Sequence, residues 1–309
     1  MKTCIAVDIG GTKMLIAQVR EDGTVVNRKR YPTGKLEKQE VLEKLLWGVR
    51  DYESEIGWEG GERPGHMGIG VNGVIDPVKG IWKKQEEADR EVPVAAFVER
   101  ELGVACHVDN DVKSAAIAEN VFGAGRGCRD MVYINLGTGL AAGIIANGKL
   151  IRGTDGFAGE IGFMNLTGGE EPRIELRASG MGMCHQALAL SAQYPDSALT
   201  ARADGGVRGQ DIFELAQGGD GLAARILEEM TEMIGLAISN LTCVLSPEVV
   251  ILGGGLISQQ RLLEGIIGAV APKAKQHLER GVILTGLDPN CAGLMGAAAI
   301  AFGHQERYF

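Results

Sequence analysis

The chain has 309 residues, 45% of them hydrophobic, with 46 glycines, a formal net charge of −9 and a pI near 5.2. That length suits one large domain or two ordinary ones, and the acidic balance excludes the broad basic footprint of a nucleic-acid binder. An acidic chain still binds an anionic nucleotide where local backbone amides and one metal ion meet it.

Six cysteines (Cys4, Cys106, Cys128, Cys184, Cys243, Cys291) stand far apart with no C-x-x-C pair. That spacing leads us to expect reduced, mostly buried thiols and a cytoplasmic protein. No uninterrupted apolar run is long enough to cross a bilayer, and charged Asp8 interrupts any leader-like start, so no membrane partner is expected.

The first element, "TCIAVDI", reads as a buried strand, and "MLIAQVRED" after two glycines reads as its antiparallel partner. "GTVVNRKRYPT" continues the sheet. Residues Gln39 to Ile56 carry helical spacing through Val41, Leu42, Leu45, Leu46 and Val49. "MGIGVNGVID" returns to strand character, the polar segment 83–91 follows, and Val92 to Leu102 reads as a short helix. "VACHV" is a strand that runs into "DNDVKSAAIAENVFG", a turn and then a helix. This order fits a mixed α/β sheet.

The pattern then restarts. "DMVYINLGTGLAAGIIANGKLI" repeats strand, Gly-rich turn with Thr, strand and polar turn, so "VYINLGTGLAAGIIA" echoes "IAVDIGGTKMLIAQV". Two related α/β halves are expected, without a short-period solenoid. A long helix is expected from Gly221 to Leu245, its apolar face including Ile226, Met230, Met233, Ile234, Ala237, Leu241 and Val244. Strand "EVVIL" meets "GGG", and Ala-rich "AGLMGAAAIAFG" closes the pattern as a helix. With no Pro/Ser-rich linker, two lobes around a cleft are the expected architecture.

Three glycine turns follow strands: Gly10-Gly11-Thr12, Gly137-Thr138-Gly139 and Gly253-Gly254-Gly255. Glycine permits positive φ and lets backbone N–H groups approach an anion without a Cβ in the way. Thr12 and Thr138 add hydroxyl donors. The plainer reading of each is an ordinary turn. Neither Thr-bearing turn is a Walker loop or a dinucleotide fingerprint.

Asp8 lies at the mouth of the first turn, where a carboxylate suits Mg²⁺, directly or through water; its plainer reading is a turn-stabilising Asp. Asp111 ends a strand and begins a helix, at the sheet edge where α/β proteins place ligands, but Asp is also a common N-cap. Glu160, in "GFAGEIGF", and Glu175, in "RIELRASG", read either as polyol-binding carboxylates or as solvated acids. The pairs Cys106-His107 and Cys184-His185 read as buried Cys with ordinary His, since no further ligands stand at metal spacing.

Together, "DIGGTK", "NDVKSAAIAE", "NLGTGLAAGIIANGKLIRG", "AGEIG", "VVILGGG" and "AGLMGAAAIA" resemble the ROK family (repressor, open reading frame, kinase) in order and spacing over essentially the whole chain. The resemblance implies a two-lobed, actin-like and ribonuclease-H-like ATPase fold with ATP and sugar in a central cleft. It implies that Gly10, Gly11, Thr12 and Lys13 form the first phosphate motif, Gly137, Thr138 and Gly139 the second, and Gly253, Gly254 and Gly255 a nucleotide-proximal turn. Asp111 matches the family's catalytic base, Asn110 beside it a sugar ligand, and Glu160 and Glu175 the positions that grip sugar hydroxyls. Asp8 falls near the Mg²⁺.

Two departures stand out. Most relatives follow the AGE motif with Gly-His and a Cys-rich zinc loop; here Phe163 replaces the His, and "MNLTGGEEPRIE" holds no cysteine. No structural zinc is therefore expected. The sugar loop is also altered, with "VNG" after Gly70 and the polar segment 83–91 in place of an Asn-rich one. Zinc-less relatives include kinases for glycosides and N-acylmannosamine, so glucose does not follow automatically.

The expectation is thus an ATP- and Mg²⁺-dependent sugar kinase acting on a primary hydroxyl such as O6 of a hexose, with an N-acylmannosamine or β-glucoside kinase as the alternative. A sugar-binding sensor without catalysis is the alternative of another class. A DNA-binding repressor is disfavoured by the seven residues before Asp8 and by the acidic charge. The lobes are expected at 1–112 plus 296–309 and at 113–295, and by resemblance alone the chain forms a homodimer.

Overall fold

The computed structural model describes residues 1–34, 36–83, 90–166, 173–202, 206–257, 260–288 and 291–304. Most of the polar segment 83–91 and the centre of the cysteine-free loop at 167–172 therefore lie outside the described residues. In chain order come β1 (Thr3–Ile9), β2 (Lys13–Arg20), β3 (Val25–Pro32), α1 (Lys38–Glu55), β4 (His66–Val71), β5 (Ile75–Asp76), β6 (Ile81–Trp82), α2 (Val94–Leu102), β7 (Ala105–Asn110) and α3 (Asp111–Val121). The echo follows as β8 (Met131–Leu136), β9 (Leu140–Ala146) and β10 (Lys149–Leu150). After it come α4 (Glu175–Ala178), α5 (Gly180–Leu190), α6 (Ala198–Ala201), α7 (Gly209–Gln217), α8 (Gly221–Leu245), β11 (Val249–Gly253), α9 (Gln260–Ala269), α10 (Pro272–Lys275), β12 (Val282–Leu284) and α11 (Ala292–Ala301).

The two main sheets run in the orders β3-β2-β1-β4-β7 and β10-β9-β8-β11-β12. Renumbered within each half, both read 3-2-1-4-5. In the first, β1 pairs antiparallel with β2 and parallel with β4, which is parallel to β7. In the second, β11 lies parallel between β8 and β12. The echo read in the sequence is therefore a repeat of topology, and a mixed α/β repeat of this order is the actin-like, ribonuclease-H-like arrangement.

By packing, the chain divides into two compact units: Met1–Cys128 with Gly143–Ala158 and Gly286–Phe309, and Arg129–Ala142 with Gly159–Thr285. This differs from the expected boundaries at 112 and 296, which fall inside α3 and α11. The reason is close packing of small residues. A Cβ on Gly296 would stand 2.8 Å from the Ser114 backbone, and one on Gly68 of β4 would overlap the Ala297 carbonyl. So α11 lies tight against both β4 and α3, and the Ala and Gly of "AGLMGAAAIA" are what permit that approach. Likewise a Cβ on Gly143 would meet the Ala116 side chain of α3, and the later part of β9 with the segment up to Ala158 belongs to the first unit.

Within the first unit, β1, β2 and β4 bury Ile5, Val7, Met14, Ile16, Met67 and Ile69 against Leu42, Leu45 and Val49 of α1. In the second, α8 spans the residues expected and buries Ile226, Met230, Met233, Ile234, Ala237 and Leu241. Val244 does not join them and is 80% exposed. At about 100° per residue Val244 lies in line with Ile226, but in the last turns of α8 the buried residues are Ile238, Leu241 and Thr242, so the covered side has moved round the helix and leaves Val244 at its open edge. Among the described residues, no helix is long and apolar enough to cross a membrane.

Candidate active site

In the first unit the turn between β1 and β2 is closed by the Gly10 N–H donating to the Lys13 carbonyl at 2.9 Å. The Thr33 N–H donates to the Thr12 carbonyl, and the Thr33 hydroxyl to the Gly10 carbonyl, both at 3.1 Å. These bonds hold the turn from beside β3 and leave Gly11 and Thr12 exposed. Neither Gly10 nor Gly11 has a positive φ, so the left-handed half of the sequence argument does not apply to them. What applies is space: a Cβ on Gly11 would meet nothing within 4 Å, and its omission leaves the backbone open to a ligand.

Asp8 precedes this turn on β1, and its carboxylate rests on the start of α11. A Cβ on Gly293 would stand 2.3–2.6 Å from the Asp8 carboxyl atoms, so only glycine admits the acid there. A helix N-terminus favours a negative charge. Burial and, secondly, the neighbouring Asp111 push the Asp8 carboxyl up to about 6, against the opposing pull of Lys13. Burial also raises Asp111 above the ordinary carboxylate range, partly offset by hydrogen bonds from backbone amides and by Lys113.

Two half-buried acids near one another would suit a divalent cation, since Mg²⁺ typically takes only one or two protein carboxylates. Among the described residues no cluster of three or more His, Cys, Asp or Glu gathers to hold a metal alone.

Asp111 is the first residue of α3, but it is not the N-cap. Asn110 is: its Oδ1 accepts from the Val112 and Lys113 N–H groups at 3.1 and 3.0 Å. Its Nδ2 donates to the Gly73 carbonyl at 3.2 Å, so most of the amide is engaged within the protein. The capping role weighed for Asp111 thus falls one residue earlier, which releases the Asp111 carboxylate from that duty.

In the second unit the turn after β8 is closed by the Gly137 N–H donating to the Gly139 carbonyl at 3.1 Å. Its outer carbonyls, Gly137 and Thr138, accept the Gly180 and Met181 N–H groups at 2.9 and 3.1 Å, which docks the turn on the start of α5. Glu175 is not a solvated acid. Its Oε1 accepts the Leu140 N–H at 3.0 Å, and a Cβ on Gly139 would stand 2.8 Å from that oxygen. Glu160 precedes the 3₁₀ turn Ile161–Phe163, and Gly162 within that turn lies against the Glu175 side chain. The structure therefore brings Glu160, Glu175 and the second turn into one neighbourhood.

Phe163 leaves about half its surface exposed (49%), with the Arg173 guanidinium 5.5 Å from its ring centroid. Of the third turn, only Gly254 is left-handed, with φ +92°, and a Cβ there would stand 2.4 Å from the Leu136 carbonyl oxygen.

A cavity of about 700 Å³ opens beside the second turn, wholly within this unit. Gly137 and Thr138 line it with Met181, Cys184 and His185 of α5, Arg208 and Gln210 at the start of α7, and Leu256. Among the described residues no acidic side chain lines it, and Arg208, whose Nη2 donates to Asp211 at 2.9 Å, stands at its edge. Its size fits a nucleotide, and its lining suits a ligand with an anionic end and an apolar ring.

Cys184 and His185 are thus cavity residues, not the buried Cys and ordinary His read from the sequence. The i, i+1, i+4, i+5 pattern of Gly180, Met181, Cys184 and His185 on one helix face was the available signal. It needed α7 and the turn after β11 to show what that face meets.

The ROK family model matches residues 4–304, and the chain belongs to the ROK family. A glucokinase of Halalkalibacterium halodurans is 30% identical over 270 residues, covering 82% of this chain and 80% of the relative. An N-acetyl-D-glucosamine kinase of Pasteurella multocida is 27% identical over 302 residues, covering 95% and 97%. Among solved structures, a ROK family glucokinase from Streptomyces griseus in complex with glucose and AMPPNP superposes with a TM-score of 0.78. It is 28% identical and covers 97% of this chain and 99% of that one.

Proposed function

We propose that this ROK protein is an ATP-dependent sugar kinase that phosphorylates a primary hydroxyl, O6, of a hexose or hexose derivative. The observation that carries the reading is Asp111: a half-buried carboxylate just past the carboxyl end of β7, raised in pKa chiefly by desolvation and relieved of capping duty by Asn110. A carboxylate of raised pKa is a stronger base than a solvated one, and it accepts the proton as the hydroxyl attacks. The γ-phosphorus then gains a bond to the sugar oxygen and loses its bond to the β,γ-bridging oxygen. Sugar phosphate and ADP leave, and the proton passes from Asp111 to solvent.

Phosphoryl transfer asks mainly for positioning and charge neutralisation. The open amides of Gly11 and Thr12, the Lys13 cation, and the Gly137–Gly139 turn with the cavity beside it are suited to the triphosphate and its nucleoside. Asp8 is the residue to hold Mg²⁺, directly or through water, and the ion would neutralise phosphate charge beside two acids. Glu160 and Glu175 are the proposed acceptors for sugar hydroxyls. Asn110 has little amide capacity left for that task, so its part is to hold the loop at Gly73 and the start of α3.

The alternative, a kinase for an N-acylated hexosamine or a glycoside, is favoured by Phe163, whose exposed ring offers no hydrogen bond to a sugar hydroxyl. The test is sugar-dependent ADP release with Mg-ATP across glucose, mannose, fructose, allose, N-acetylglucosamine, N-acetylmannosamine and a β-glucoside. Turnover on one sugar well above the rest names the substrate. Silence on every sugar, with ADP binding intact, contradicts the kinase reading in favour of a sensor.

A further inference from the structure

Asp109 takes no part in the chemistry above, yet it adjoins it and is almost wholly enclosed, its side chain 1% exposed. Arg152, from the segment after β10, grips it with two prongs: Nη1 to Oδ1 at 2.8 Å and Nη2 to Oδ2 at 2.7 Å. The same Oδ1 accepts the backbone N–H of Asn110 at 2.8 Å. Asn110 in turn caps α3 and holds Gly73, and Asp111 is the first residue of α3. A continuous run of hydrogen bonds therefore leads from Arg152 through Asp109 and Asn110 to the backbone that carries the Asp111 carboxylate.

The Arg152 end is itself braced. The Ala158 N–H donates to the Arg152 carbonyl at 3.2 Å. A Cβ on Gly156 would touch Val74 and the Ile75 carbonyl, at 3.4 and 3.6 Å, and Gly156 is left-handed with φ +91°. This segment thus touches both Asp109 and the loop that Asn110 clamps.

Stability is a poor reason for such a pair. Desolvation of two buried charges largely offsets their attraction, and apolar residues often hold a fold as well. What a guanidinium–carboxylate fork supplies is a fixed plane and direction. We propose that Arg152 is a positioning residue for phosphoryl transfer, aligning Asn110 and hence the Asp111 carboxylate through its two-pronged hold on Asp109. The proposal rests on the kinase reading of Asp111.

The experiment is steady-state kinetics in both substrates, with thermal melts, on the wild type, Arg152→Gln, Arg152→Lys and the double variant Arg152→Gln/Asp109→Asn. The double variant leaves no unpaired buried carboxylate, so it keeps the test alive if Arg152→Gln fails to fold. Misalignment of a reacting group costs roughly 10- to 100-fold in kcat. That loss is expected in Arg152→Gln, with the KM for ATP changed by less than about threefold because the nucleotide cavity is untouched.

Arg152→Lys, which keeps the charge and loses the fork, recovers only part of kcat. The double variant is expected to lose no more than Arg152→Gln, because both residues act along one path. A folded Arg152→Gln or double variant with wild-type kcat and a lowered melting point makes the pair a brace only, and overturns the proposal. Full recovery by Arg152→Lys overturns it as well. If the wild type turns over no sugar, the kinase reading fails and takes the proposal with it; an active wild type beside a full-speed variant fails the proposal alone.

Discussion

The two glycine turns of this protein sit at the same place in two sheets of the same order, yet their surroundings differ. Asp8 is the penultimate residue of β1, and the residue in the same place on β8 is Asn135. The first turn therefore has a carboxylate beside it, seated on Gly293 and repelled by a second acid, Asp111. The second has a neutral amide, which lies against Gly137 and Gly254, and opens onto a cavity that no acid lines among the described residues. The lesson is that a repeated topology supplies two equivalent strand ends, and one side-chain difference sets a carboxylate beside one turn and a neutral amide beside the other.

The glycines differ in the same way. In the second unit, Gly254 is required by conformation and by contact, with φ +92° and no room for a Cβ. Gly254→Ala should give the largest stability effect, a loss of about 3 kcal/mol from a strained φ and a backbone clash together. Thermal or urea unfolding measures it, and a change under 1 kcal/mol would remove the close approach to Leu136 from the account.

Next comes Asp8, whose charge the apo protein holds at a cost. Its folded pKa is raised from 3.8 to about 6. A raised acid contributes its stability below pH 3.8, and that contribution is lost as pH rises through about 6. Asp8→Asn should therefore stabilise the apo protein at pH 7.5 by about 1–3 kcal/mol, with the helix start of α11 keeping the gain below the full shift. The gain should shrink toward pH 4, while turnover falls. Equal unfolding curves for the two proteins at pH 4 and pH 7.5 would show that the site tolerates the charge freely.

The smallest effect is expected at Gly11, where no positive φ and no neighbour demands glycine. Gly11→Ala should leave stability within about 0.5 kcal/mol of wild type, yet raise the KM for ATP because a methyl group now faces the approaching phosphate. A variant with unchanged KM would mean that no ligand comes near this turn.

Much of this contrast was legible in the sequence because it is local. The strand, Gly-rich turn, strand pattern appears twice in the spelling, and α8 has the bounds its apolar spacing gives. Side chains whose meaning depends on distant partners were not legible. Gly139 is explained by a carboxylate from Glu175, and Asp109 by a guanidinium from Arg152, 43 positions along the chain. Cys184 and His185 gain a role only when α5 meets α7 and the turn after β11 around a cavity. Val244 was misplaced for a related reason: the spacing names a candidate face, and the neighbours of α8 choose which edge of that face is covered.

The measurement that tests the central division most directly is the pair of kcat and ADP affinity in Asp111→Asn. An account that makes Asp111 the proton acceptor and gives the nucleoside to the cavity of the second unit expects kcat to fall by roughly 10²- to 10⁴-fold. It expects the dissociation constant for ADP to stay within about threefold of wild type. Wild-type turnover in that variant, or a loss of ADP binding that matches the loss of rate, would contradict it.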